Sequence, residues 1–294
     1  MTRKRLLSAL VIVPVLLTSL CYLPSLILLA ALIALSILGI FEFYRMLDAA
    51  NIPSFRFVGA GCGALLHLAT YCGFKFTGVR EGAAPYAADW GACILVCTVM
   101  ILMVRQFPQK NNAKPLSTVA CTLLGVLYVP LLLNYFVKLG LTWDNVDWHE
   151  PLHGHAGWPM IFYSLLVVKM TDAGAFFTGL AIGRHKMFPR LSPSKTWEGM
   201  IGGLLTGTAL SWIYIHYSGG RLGPVAVNTY HAVVMGIVVS LAAMLGDLSE
   251  SLLKRAASVK DSGKLIPGIG GMLDVLDSLL FGVPVMYYYI RLTL

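Results

Sequence analysis

Apolar residues fill this chain from end to end in long runs, separated by short polar or Gly/Pro-containing breaks. A run of about 18 or more such residues reads as a helix that crosses a membrane. Nine runs are read this way, near 6–22, 25–44, 56–76, 90–104, 116–138, 159–182, 198–217, 226–247 and 277–293, the first two joined at a break at Pro24. The pattern predicts an all-α, polytopic integral membrane protein with about nine transmembrane helices. It leaves no room for a soluble domain. Residues 1–150 form the N-terminal transmembrane helices, and residues 151–294 form a C-terminal transmembrane region that holds most of the polar clusters.

Composition agrees with the pattern: 57% of the 294 residues are hydrophobic and only 12% charged, with a net charge of +8. The N-terminal MTRKRLLSALVIVPVLL has the basic start of a signal peptide but no clear small-x-small cleavage site, so it is read as a retained first helix. Cytoplasmic loops keep the positive charge. With nine spans and a cytoplasmic N-terminus, 16 of the 22 Lys and Arg residues fall on the cytoplasmic side, five on the other, and Lys169 within a span. The two most basic internal loops, 183–197 and 248–276, then face the same compartment. The six cysteines lack zinc-finger spacing and are read as packing residues. His149, His153 and His155, in the loop on the opposite side, are read as solvated.

In so apolar a chain, acids at the ends of spans call for a reason. Asp247 and Glu250 lie three apart at the end of the eighth span, on one helix face, and Asp274 and Asp277 repeat that spacing at the start of the ninth. A charge at helix-centre depth costs about 2.5–3.5 kcal/mol, less near the interface, so four carboxylates require a cationic partner. Oxygen donors without neighbouring His or Cys suit Mg²⁺. Salt bridges to Lys254, Arg255 and Lys260 are the alternative. Gly268, Gly270 and Gly271 allow close approach of the backbone to a ligand and could present N–H groups to phosphate at a helix N-terminus. The other basic loop combines Arg184, Lys186, Arg190 and Lys195 with Ser192, Ser194 and Thr196, a mixture suited to phosphate-rich ligands or to lipid headgroups. Within the sixth span lie Lys169 and Asp172, a site candidate or a mutual ion pair. Gly199, Gly203 and Gly207, at four-residue spacing, predict close helix packing.

These residues form two recognisable blocks. Ser251, Lys254, Arg255, Lys260, Asp261, Gly263, Pro267, Gly270, Gly271, Asp274 and Asp277 follow the signature of the phosphatidate cytidylyltransferase (CDP-diacylglycerol synthase) family, which the C-terminal 125 or so residues resemble. Upstream, Asp172, Ala175, Phe176, Ser192, Pro193, Lys195, Thr196, Glu198 and Gly199 resemble that family's second block. Ile269 and Val275 stand where the family usually has His and Arg. The first 150 residues match only as spans.

The resemblance implies transfer of the cytidylyl group of CTP to phosphatidate, giving CDP-diacylglycerol and pyrophosphate for phospholipid biosynthesis. It implies Asp247, Asp274, Lys254 and Lys260 as catalytic residues. Ser192, Lys195, Arg255, Asp172, Gly270 and Gly271 become substrate-binding residues. Asp247, Asp274, Glu250 and Asp277 become the ligands of Mg²⁺, with room for a second divalent or a monovalent cation. Its partners would be CTP, phosphatidate and the lipid bilayer, with a homodimer as an option and no nucleic acid. The natural location is a bacterial inner membrane, with the site on the cytoplasmic side. A CTP-dependent lipid or polyprenol kinase is the rival enzyme, and a transporter the rival from another class, although no internal repeat is seen.

Overall fold

The computed structural model describes residues 25–76, 90–110, 112–143, 157–263 and 270–294. Its helices are α1 (Ser25–Ala49), α2 (Arg56–Phe76), α3 (Trp90–Gln106), α4 (Pro115–Val126), α5 (Leu132–Leu141), α6 (Trp158–Ile182), α7 (Trp197–Tyr217), α8 (Thr229–Ala256) and α9 (Leu273–Thr293). A π-helical turn, Leu127–Leu131, joins α4 to α5, so that Pro115–Leu141 is one continuous rod. Eight of the nine expected spans thus have a helical counterpart, and the expected span near 6–22 lies outside the described residues. Among the described residues, six helices are long and apolar enough to cross a membrane: α1, α2, α4–α5, α6, α8 and α9. The protein is an all-α integral membrane protein with little strand.

Two short antiparallel hairpins interrupt the helices, and apolar patterning did not predict them. Strands β1 (Lys186–Phe188) and β2 (Ser192–Thr196) pair within the basic loop before α7, and β3 (Arg221–Leu222) and β4 (Val225–Ala226) pair between α7 and α8. Strands this short carry too few residues to show a period of two. Helix α8 also outruns its apolar stretch. It stays helical through the polar DLSESLLKRA to Ala256, whose leucines and charges are good helix formers.

The chain divides into two compact units, Met1–Thr142 with Ala256–Val275, and Trp143–Arg255 with Leu276–Leu294. In the first, the Tyr44 ring is wholly buried and its hydroxyl donates to the Thr122 carbonyl (2.9 Å). A Cβ on Gly125 would stand 2.6 Å from that ring, so glycine makes the room. Pro130 cannot donate an N–H to its helix; the π turn absorbs the lost bond, and the proline ring seats against Gly63. Asn134 bridges α5 to α2 through His67 Nδ1 (3.2 Å) and the Thr70 hydroxyl (2.8 Å), buried polar contacts that tie the two helices together.

The second unit is built on contact between α6 and α7. A Cβ on Gly203 would stand 2.7 Å from the Thr171 carbonyl, and one on Gly199 2.8 Å from the Ala175 carbonyl. Gly199, Gly203 and Gly207 are buried along this seam, as their spacing predicts. Thr171 and Ser240 hydroxyls share a hydrogen bond (2.8 Å) that ties α6 to α8.

Candidate functional site

The basic loop is held rigidly where it meets α7. Thr196 caps the helix, its hydroxyl accepting from the Gly199 N–H (3.1 Å). Glu198, in the first turn, accepts from the Arg184 N–H (3.1 Å) and from the His185 N–H and ring. These bonds close both ends of the β1–β2 hairpin and fix Lys195 one residue before the cap. Its ammonium lies 2.7 Å from Asp247 Oδ2, and the two side chains are 25% and 36% exposed. The structure therefore joins the basic loop to the acidic end of α8, which the sequence could place only on the same side of a membrane.

Around this pair, further charges from other helices gather within the second unit. On α6, Lys169 Nζ stands 3.6 Å from Asp172 Oδ2. On α9, Asp277 is buried, and its Oδ1 accepts from the Ser278 N–H (2.6 Å) and hydroxyl (3.2 Å). The same Ser278 hydroxyl lies 3.1 Å from Asp172 Oδ1, linking α9 to α6. The carboxyl of Asp277 lies within the field of Asp247, Asp172 and Lys169. Close contact of helix backbones makes this possible, because a Cβ on Gly246 would strike the Asp277 carbonyl. Lys195, Asp172, Asp247 and Asp277, all singled out from sequence, thus converge; Lys169 and Ser278 join them.

Other expected residues take different partners. Glu250 is wholly buried, and Lys254 one turn later lies 2.6 Å from its Oε2, an ion pair of the kind weighed as the alternative to metal. Arg255 donates from Nε to the Leu191 carbonyl (3.1 Å), bracing the turn of the β1–β2 hairpin. Ser192 is half-buried, its hydroxyl 3.4 Å from that of Ser194. Lys260 is exposed.

Asp274, Gly270 and Gly271 belong to the first unit. Gly270 has φ +127, a conformation that glycine adopts freely. Gly271 gives its N–H to Asp274 Oδ2 (2.7 Å), so this amide is used inside the turn instead of being offered to a phosphate. The Ser262 hydroxyl also donates to Asp274 Oδ2 (2.9 Å). Gly268 lies outside the described residues. Glu42, on α1, joins this turn and was missed by sequence reasoning; the signal was a lone carboxylate in the otherwise apolar ILGIFEFY.

Among the described residues, no three His, Cys, Asp or Glu side chains are gathered closely enough to hold a metal ion by themselves. Mg²⁺ does not require three, since it commonly takes one or two carboxylates and fills its shell with water and substrate phosphate. Asp247 and Asp277 fit that role. Asp277 has the Ser278 hydroxyl beside it (3.2 Å), and on Asp247 the ion would take the place now held by the Lys195 ammonium.

The chain matches the cytidylyltransferase family over residues 3–293. It is 32% identical to the phosphatidate cytidylyltransferase of Haemophilus influenzae over 98% of both chains. Proteins of the same name from Bacillus subtilis and Staphylococcus haemolyticus are 32% and 34% identical to it, over 68% of this chain and 68% and 71% of theirs. With the family pattern running through the acidic cluster and nearly the whole chain, this protein belongs to the cytidylyltransferase family.

Proposed function

We propose that this chain is a phosphatidate cytidylyltransferase. A phosphate oxygen of phosphatidate attacks the α-phosphorus of CTP, the bond from that phosphorus to the β-phosphate oxygen breaks, and pyrophosphate leaves. The products are CDP-diacylglycerol and pyrophosphate. The observation that carries this reading is likeness to a named phosphatidate cytidylyltransferase over 98% of both chains.

Both reactants are anions, so the protein's task is positioning and charge neutralisation. Asp247 and Asp277 would hold Mg²⁺, which when bound neutralises triphosphate oxygens and orients them for in-line displacement. Lys195, fixed by the Thr196 cap, grips phosphate from the hairpin side. Ser278 orients the Asp277 carboxylate toward the cluster, and Asp172 holds Lys169 and Ser278 in place. Arg255 braces the hairpin turn at Leu191, beside Ser192. The Glu250–Lys254 pair sets the last turns of α8, and the exposed Lys260 adds to the positive charge that draws anionic substrates to the protein. Asp274 shapes the glycine turn.

The protein would lie in a bacterial inner membrane with a cytoplasmic N-terminus and the site on the cytoplasmic side, which the Lys and Arg asymmetry favours. Purified protein given phosphatidate, CTP and Mg²⁺ should release pyrophosphate only when phosphatidate is present. Release of CDP instead would assign it to the lipid-kinase class.

A further inference from the structure

Glu42 is 4% exposed within α1 and has no part in the transfer chemistry described above. Its Oε2 accepts from the Leu273 N–H (2.9 Å), the first amide of α9, and from the Ser262 hydroxyl (3.2 Å). Gly263 and Gly271 pack on the same carboxylate. A Cβ on Gly263 would stand 2.7 Å from Glu42 Cδ, and one on Gly271 would strike Glu42 Oε2 and the Ser262 hydroxyl. One side chain therefore touches both described flanks of the polar loop: Ser262 and Gly263 before residues 264–269, Gly271 and Leu273 after them. Ser262 bridges Glu42 to Asp274: its N–H donates to Asp274 Oδ2 (3.3 Å), and its one hydroxyl proton lies between Asp274 Oδ2 and Glu42 Oε2 and goes to one of them at a time, so the two carboxylates and the turn form one hydrogen-bonded unit.

An acid buried in an apolar helix is costly, and amides at the start of a helix have no partner within it. Each need meets the other here, and the negative charge also lies at the favourable end of the helix dipole. We infer that Glu42 is a positioning residue for the transfer reaction: it clasps both flanks of the glycine-rich loop and fixes the first turn of α9, holding Lys260 and Asp274 at a set spacing. The inference rests on the transferase reading for its effect on rate, although the clasp itself can be measured separately.

The test uses the full chain in detergent, with amide hydrogen exchange over residues 262–274 and steady-state kinetics. Removing a hydrogen bond to a charged group predicts that Glu42→Ala speeds exchange at Leu273 by about tenfold or more and lowers kcat by about 10- to 100-fold, with KM for phosphatidate little changed. Glu42→Gln keeps an oxygen for Leu273 and should restore exchange to within about threefold of the parent, with most of kcat. Unchanged exchange at Leu273 in Glu42→Ala, or a Gln variant as impaired as the Ala variant, would overturn the proposal. If Glu42→Ala does not insert, Ser262→Ala decides: it should loosen residues 262–263 and leave Leu273 protected, whereas equal loosening throughout the chain overturns the clasp. A parent protein that protects Leu273 but forms no CDP-diacylglycerol would remove the transferase reading and leave the clasp intact.

Discussion

Substituting Lys195→Met removes the ammonium 2.7 Å from Asp247 and keeps most of the apolar stem. Both partners are substantially exposed, at 25% and 36%, so solvent screens the pair and its loss should change stability by no more than about 1 kcal/mol. A charged hydrogen bond to phosphate is worth about 1.5–3 kcal/mol, so kcat/KM for CTP should fall by roughly 10- to 150-fold. A second consequence separates phosphate binding from simple anchoring. If Asp247 holds the divalent ion, removing the competing ammonium should lower the Mg²⁺ concentration needed for half-maximal rate. The assay is steady-state cytidylyl transfer in mixed micelles, titrated separately with CTP and Mg²⁺, beside a thermal unfolding curve. Kinetics within twofold of the parent, with an unmoved Mg²⁺ dependence, would refute the assignment of Lys195 and Asp247 to the site.

Asp277→Asn keeps the shape and the contact with Ser278 but removes a ligand charge, and should reduce Mg²⁺-dependent transfer by more than about 100-fold while the protein still inserts, as judged by membrane fractionation. Tyr44→Phe leaves the Thr122 carbonyl without its hydroxyl donor and should destabilise the first unit by about 1 kcal/mol, read as a lower Tm in detergent. Gly203→Leu forces a side chain against the Thr171 carbonyl and should cost about 1–3 kcal/mol by separating α6 from α7, with a matching fall in Tm. An unchanged Tm in either variant would contradict the packing described.

The membrane helices could be read from sequence because a bilayer imposes one length and one polarity on every span. The acids at the ends of α8 and α9 stood out for the same reason: each is costly where it lies. Their partners were less legible. Whether Glu250 meets a metal or Lys254 depends on the rotation of α8 and on burial, which three- and four-residue spacings leave open. Ser278 reads as an ordinary small residue until α6 brings Asp172 to it. Glu42 is the clearest case, because its partner Ser262 is 220 positions away and no local period encodes that contact. The β1–β2 hairpin escaped because its order comes from Glu198 and Arg255, which bond to its ends and its turn, more than from any strand pattern.

The most direct measurement uses CTP labelled at the α-phosphorus with phosphatidate-containing vesicles and Mg²⁺. The label should enter the lipid fraction as CDP-diacylglycerol, one for each pyrophosphate released, and Asp277→Asn should abolish both. Label that stays water-soluble as CDP while the lipid gains an unlabelled phosphate would contradict the account.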